Sequence, residues 1–300
     1  MHYLKPTCIA TLLTCLLLSA CGVRIQGIEL GRIYDSLGSV PDLFDKDTED
    51  EIEIGRQTAD TLLKHYRVSP NTTLQQYVST VGYWLVKHSS RPKLPWRFIV
   101  IEDEAFNAFA APGGYIFVTT GTLMRIGSES ELAAILAHEM AHVLFKHHLE
   151  ALQDSSQIGL ASNLAILAAQ GYRANQASNR EDLDGPEAIS LFEKSVMSLY
   201  EKGLERDDEM EADRVAVLLS ARAGYDHYAF AATLQYIASH ETQHHAHFDQ
   251  FVASHPSAEE RLMALEPTLL EMDARISSPR TLSDRYAQVL QSAIANQNDS

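Results

Sequence analysis

His138-Glu139-Met140-Ala141-His142 sets two imidazoles four residues apart, with a carboxylate beside the first. On a helix, positions i and i+4 stand one above the other, so both rings can point at one ion. Neutral imidazole nitrogen is a zinc ligand, and HExxH carried on a helix is a zinc signature. Glu139 lies one step round the helix from the ligand face and can reach a water on the same ion. A metal draws the pKa of such a water down to about 7, and a neighbouring carboxylate can then take its proton.

A catalytic zinc has three protein ligands and one open position. No further histidine follows closely after His148, so the acids of Arg206–Asp213 (RDDEMEAD) are the candidates. Glu209 and Asp213 are four apart and share a helical face, whereas Glu211 points away from it. One carboxylate of such a pair can bind the metal while the other accepts the free N–H of a ligating histidine and fixes its tautomer. Glu209 is read as the third ligand and Asp213 as the residue that orients His138. Val215 to Leu219 follow directly, so this end of the helix enters a core.

These residues need rigid elements to hold them. Leu132, Ile135, Leu136, Met140, Val143 and Leu144 recur at three- and four-residue spacing, which predicts a mostly buried helix over 128–150. Ser128 and Glu131 form a capping box at its start. His147 and His148 fall at its polar end and read as solvated charges near a helix C-terminus. Upstream, helices are predicted from Thr48, boxed with Glu51, to about Tyr66, and again over 72–88. Residues 96–101 read as a strand, 107–111 as a weaker one, and 115–119 as a strong one after the Pro112-Gly113-Gly114 turn. That makes a small sheet of about three strands directly before the HExxH helix. Downstream come an apolar run at 158–169, a mobile polar loop at 171–187, and a helix from about 187 to 223 kinked near Gly203. Further helices follow at 227–240 and 257–272. His244, His245 and His247 read as a solvated loop.

Lys5, the apolar run Ile9–Leu18 and Leu18-Ser19-Ala20-Cys21 resemble a bacterial lipoprotein signal. Cys21 would then be the lipidated first residue of the mature chain, and the absence of Asp after it favours the periplasmic face of the outer membrane. Cys8 and Cys15 would be removed, leaving no disulfide. The expected organisation is a signal peptide at 1–20, a tether at 21–46, one domain at 47–276 and a tail at 277–300. A formal net charge of −16 argues against nucleic acid as a partner.

Beyond the HExxH and EMEAD segments, the chain carries NAFAAPGGYIFVTTG at 107–121, Ala223-Gly224-Tyr225-Asp226, and Ser254-His255-Pro256-Ser257 with Arg261. In this order and spacing they resemble the HtpX and CAAX-prenyl-endopeptidase-type zinc metallopeptidases, a gluzincin family, and within it the LoiP- and BepA-like periplasmic lipoprotein branch. The resemblance covers roughly 47–272. It implies a mainly helical α+β, zincin-like fold and one Zn2+ per chain on His138, His142 and Glu209, with Glu139 as general base. It also implies that His255 lies near the metal, capping it or stabilising an oxyanion. The strand at Gly113, Gly114, Tyr115, Ile116 and Phe117 is expected along the cleft, where an edge strand pairs with an extended substrate. The expected activity is endopeptidase cleavage of misfolded or stalled outer-membrane and periplasmic proteins, with the outer-membrane assembly machinery as a further partner. The alternative is a chaperone or assembly factor that holds unfolded chains on the sheet edge.

Overall fold

Alternation along two strands builds the centre of the structure. In Ala108–Ala111 and Tyr115–Thr119, Ala108, Ala110, Ile116 and Val118 face one apolar cluster while Phe109, Ala111, Tyr115 and Phe117 face another. The computed structural model describes residues 24–25, 28–29, 46–154, 186–241, 254–276 and 278–298. The expected leader, Cys21, most of the tether, the 158–169 run, most of the 171–187 loop and His244, His245 and His247 lie outside them.

Four strands form one mixed sheet: β1 (Arg67–Val68), β2 (Arg97–Glu102), β3 (Ala108–Ala111) and β4 (Tyr115–Thr119), in the order β1-β2-β4-β3. β2 and β4 run parallel, with Arg97 opposite Tyr115. β4 and β3 are antiparallel, with Phe109 opposite Phe117. The sheet has one strand more than the sequence predicts. β1 is only two residues long, and its pairing of Arg67 with Glu102 carries no hydrophobic signal.

Nine helices of eight residues or more among the described residues cover the two faces: α1 (Lys46–Leu62), α2 (Thr72–Val86), α3 (Glu129–Leu144), α4 (His147–Asp154), α5 (Pro186–Lys202), α6 (Arg206–Arg222), α7 (Ala229–Glu241), α8 (Ala258–Asp273) and α9 (Ser283–Asn298). The larger core joins α2, α3, α6, α7, α8 and α9 to one face of the sheet. The smaller joins α1, α4 and α5 to the other. None of the helices in the described residues is long and apolar enough to cross a membrane.

Local chemistry explains the boundaries near the site. Ser128 caps α3 by accepting from Glu131 N–H at 3.1 Å, and Glu131 reaches back to Gly127 N–H at 3.0 Å. The helix predicted to run to 150 stops at Leu144, because Lys146 adopts a left-handed φ of 63° and restarts the chain as α4. The helix predicted across 187–223 divides at Gly203. There φ is +78°, and a Cβ would lie 1.7 Å from the Ser254 carbonyl oxygen. The helix expected to start at Thr48 begins earlier, at Lys46, and buried Glu51 takes a bidentate pair from Arg91 and the Gly113 N–H.

The expected tail belongs to the core. Tyr286 of α9 is buried and donates to the Leu123 carbonyl. Arg285 pairs with fully buried Glu129 at the start of α3, which also accepts from Tyr77 and Tyr225.

Candidate active site

α3 lies against α6, and their facing turns bring the two sequence motifs together. His142 Nε2 is 3.1 Å from His138 Nε2. Glu209 of α6 places one carboxylate oxygen 3.5 Å from His138 Nε2 and the other 3.5 Å from His142 Nε2. His255 enters from the segment before α8, with Nε2 3.6 Å from Glu209 Oε2 and Nδ1 2.9 Å from Ser254 Oγ. One ligand atom each from His138, Glu209 and His255 fall within 4.8 Å of one another.

His138 is held from behind. Its Nδ1 is 2.9 Å from Asp213 Oδ1, and its ring stacks on Phe230 at 5.3 Å. Asp213 is in turn gripped by Arg261, with Nε–Oδ2 at 2.9 Å and Nη2–Oδ1 at 2.6 Å. Arg261 is fully buried and also lies over the Phe230 ring. A planar guanidinium matches a carboxylate in this two-point manner.

Charge follows from that geometry. Burial would raise the Asp213 carboxyl, but Arg261 and His138 hold it well below the usual carboxylate range. Glu209 is likewise opposed by burial, yet His255, His138 and Arg261 keep it down at about 2. Burial disfavours the His138 cation, and the Asp213 and Glu209 carboxylates facing its ring outweigh it, lifting the imidazole to about 9. His142 goes the other way, driven far down by burial and by the neighbouring histidines. Burial raises Glu139 to about 7, with His138 opposing and Glu209 assisting.

The cleft beside these groups is small, about 40 Å³, room for water but not for a peptide. Glu139, His142, His255, Tyr200 of α5 and residues 107–109 line it. The strand at its border is β3. Gly113, Gly114, Tyr115, Ile116 and Phe117 were expected to be the substrate edge, and the topology corrects this. β4 sits between β2 and β3 with both backbone sides paired, so it cannot accept another strand. Asn107 O accepts from Thr119 N–H at 3.1 Å, so Asn107 and Phe109 turn toward β4. Ala108 and Ala110 therefore direct their backbone groups outward. The Ala110 carbonyl already accepts from the Tyr200 hydroxyl at 2.5 Å.

Sequence reasoning missed three contributors. His147 and His148 are buried, not solvated. His147 Nδ1 is 3.0 Å from His142 Nδ1, and the His148 ring stacks on Tyr200 at 5.2 Å. Burial, with His147 beside it, pushes His148 down to about 3. Tyr200 carried no motif. Helical periodicity alone could have put Leu199 and Tyr200 on the buried face of α5, but it could not have named their neighbours.

An HExxH helix facing a second helix that supplies an acid, with a sheet edge beside the pair, defines the metal-dependent peptidase class. The comparison with known families agrees: residues 72–269 match peptidase family M48, and the chain belongs to that family. It is 31% identical over 192 residues to a putative beta-barrel assembly-enhancing protease of Vibrio cholerae, covering 63% of this chain and 38% of that one. It is 25% identical over 254 residues to the beta-barrel assembly-enhancing protease of Escherichia coli K12, covering 79% and 49%. It is 30% identical over 234 residues to the mitochondrial metalloendopeptidase OMA1 of Schizosaccharomyces pombe, covering 78% and 62%. The chain thus spans about half the length of the curated relatives it matches.

Proposed function

We propose that this chain is a zinc-dependent endopeptidase of the bacterial cell envelope that cleaves misfolded or stalled outer-membrane and periplasmic proteins. The observation that carries the reading is the convergence of His138 Nε2, His142 Nε2 and the Glu209 carboxylate, with Glu139 beside them on the cleft. The donor set fits a metal. Among the described residues Glu209 Oε2 is buried without a hydrogen-bond partner, although the His138 and His255 imidazoles lie 3.5 and 3.6 Å from it. Two nitrogens and one carboxylate oxygen are a zinc set with room for a fourth position. Zinc held there supplies a Lewis acid and a water acidic enough to be deprotonated near neutrality.

Each residue of the site has a part in this reading. Glu139 takes the proton of the attacking water and passes it to the leaving amine. Asp213, locked by Arg261, keeps His138 protonated at Nδ1 so that its Nε2 lone pair faces the site. His255 caps the resting site and, once displaced, donates to the oxyanion that forms as the carbonyl is attacked. The outward backbone of Ala108 and Ala110 aligns the substrate as an added strand. Cleavage requires Tyr200 and the Ser254–His255 segment to move, since the closed cleft excludes a peptide. A lipid on Cys21 would keep the protein at the inner face of the outer membrane, close to the proteins it clears and to the assembly machinery that handles them.

The competing reading is a holding factor that binds unfolded chains on β3 without cutting them, and the closed cleft favours it. Purified full chain and its Glu139→Gln variant distinguish the two. We expect about one zinc per chain in both proteins, as a three-ligand site implies, and casein cleavage only in the wild type. Zinc with no cleavage in either protein, together with retained binding of unfolded chains, selects the holding factor.

A further inference from the structure

We infer that His147 is a positioning residue for the metal ligand His142, and that Glu211 sets the tautomers of both rings from the far end. The inference rests on the reading of His142 as a ligand.

The geometry is a relay of three groups. His142 turns Nε2 toward His138 and Glu209. Its other nitrogen, Nδ1, is 3.0 Å from His147 Nδ1, and His147 Nε2 is 3.1 Å from Glu211 Oε2. Asp208 Oδ1 stands farther from the same nitrogen, at 3.8 Å. Two ring nitrogens 3.0 Å apart form a hydrogen bond only when one carries the proton and the other the lone pair. An ionised carboxylate can only accept, so Glu211 requires the proton of a neutral His147 to be on Nε2. That leaves a lone pair on His147 Nδ1, and His142 must donate from its own Nδ1. The lone pair of His142 then remains on Nε2, facing the site. With the opposite order, His147 would turn an unprotonated Nε2 toward a carboxylate oxygen at 3.1 Å, and lone pair would face lone pair.

The fold supplies this arrangement deliberately placed in one turn. The left-handed Lys146 reverses the chain after α3, and His147 folds back against the helix it has just left. The His147 side chain is 4% exposed, while Glu211 is 22% exposed and sits at the rim of α6. The two ligand histidines are thus oriented by different devices. His138 meets a carboxylate directly, and His142 meets one through an intervening imidazole. Such outer partners of metal-bound histidines are worth roughly 10–100-fold in metal affinity.

The test is a competition titration of purified full chain with zinc against a chromophoric chelator, for wild type, Glu211→Ala, His147→Leu and His147→Gln. Glu211→Ala changes only a rim side chain, and its Tm should stay at the wild-type value. We expect zinc affinity to fall roughly 10-fold or more in Glu211→Ala and in His147→Leu. His147→Gln, whose amide can both accept and donate, should recover most of the loss at the same Tm as His147→Leu. Long-range proton–nitrogen spectra of the zinc-loaded wild type should show His142 protonated at Nδ1 and His147 at Nε2. Zinc uptake by the wild type that is unchanged within about twofold in Glu211→Ala and His147→Leu overturns this inference alone, against the 10-fold expected. A proton on His147 Nδ1 overturns it as well. No zinc uptake by the wild type overturns the ligand reading, and this inference with it.

Discussion

Replacing Glu139 by Gln should make the metal-free protein more stable above neutral pH, although the change removes the proposed general base. Glu139 is buried between His138, Glu209 and Asp213, and burial lifts its carboxyl from 4.5 to about 7. A raised carboxyl means that the folded protein holds a proton the unfolded chain has released. Stability therefore falls as pH rises from about 4.5 to about 7, and the full cost is present above that window. At about 1.4 kcal/mol for each tenfold difference, the cost is about 3 kcal/mol. Gln has the same shape and no charge to bury, so it escapes the penalty. The assay is urea unfolding of both proteins in chelator at pH 4, 6 and 8. The gap in favour of Gln should be small at pH 4 and reach about 3 kcal/mol at pH 8, a Tm difference of roughly 6–12 °C for a domain of this size. Saturating zinc should shrink the gap at pH 8, because a cation beside the carboxylate favours its charged form. A gap that does not vary with pH, or a Gln variant less stable at pH 8, would refute the reasoning.

Three further outcomes are expected. Glu209→Gln should abolish zinc uptake while leaving the circular dichroism spectrum unchanged, measured by metal analysis after dialysis; retained zinc would remove Glu209 from the ligand set. Arg261→Met leaves Asp213 buried without its two-point partner and should cost about 3–5 kcal/mol in urea unfolding. Tyr200→Phe releases the Ala110 carbonyl at the loss of one hydrogen bond worth about 1 kcal/mol. If substrate uses that carbonyl, KM for an extended quenched peptide should fall roughly fivefold with kcat unchanged, and an unchanged KM would exclude it.

The parts of the site that were legible in the sequence are those set by short-range helical spacing. His138 with His142, and Glu209 with Asp213, each lie four residues apart on helices that the apolar pattern locates, and Ser128 marks where one begins. What joins the two helices is not local. Arg261 reaches Asp213 from 48 residues away, and nothing in the acid's surroundings announces it. The solvated reading of His147 and His148 failed at Lys146, because lysine gives no sign of a left-handed turn. The edge of the sheet was misplaced for a related reason. β4 has the strongest strand composition and is paired on both sides, whereas the weaker, alanine-rich β3 is an edge of the sheet among the described residues. The tail after 277 reads as partly helical, but its place in the core was not legible because α9 is mostly polar, with Tyr286 and Ala293 its buried apolar anchors.

The Tyr200–Ala110 contact has a consequence for life at high local concentration. A free strand edge next to an apolar cleft is a template for pairing with any extended chain, including another copy of the same protein. The edge is short, four residues, and α5 lies across it with one of its outward carbonyls occupied. Were the chain held at a membrane surface by the proposed lipid, its copies would meet far more often than in free solution. If β3 takes substrate as proposed, the Tyr200 hydroxyl on the Ala110 carbonyl would guard the same edge against neighbouring copies, so colloidal stability and admission of substrate would depend on one group.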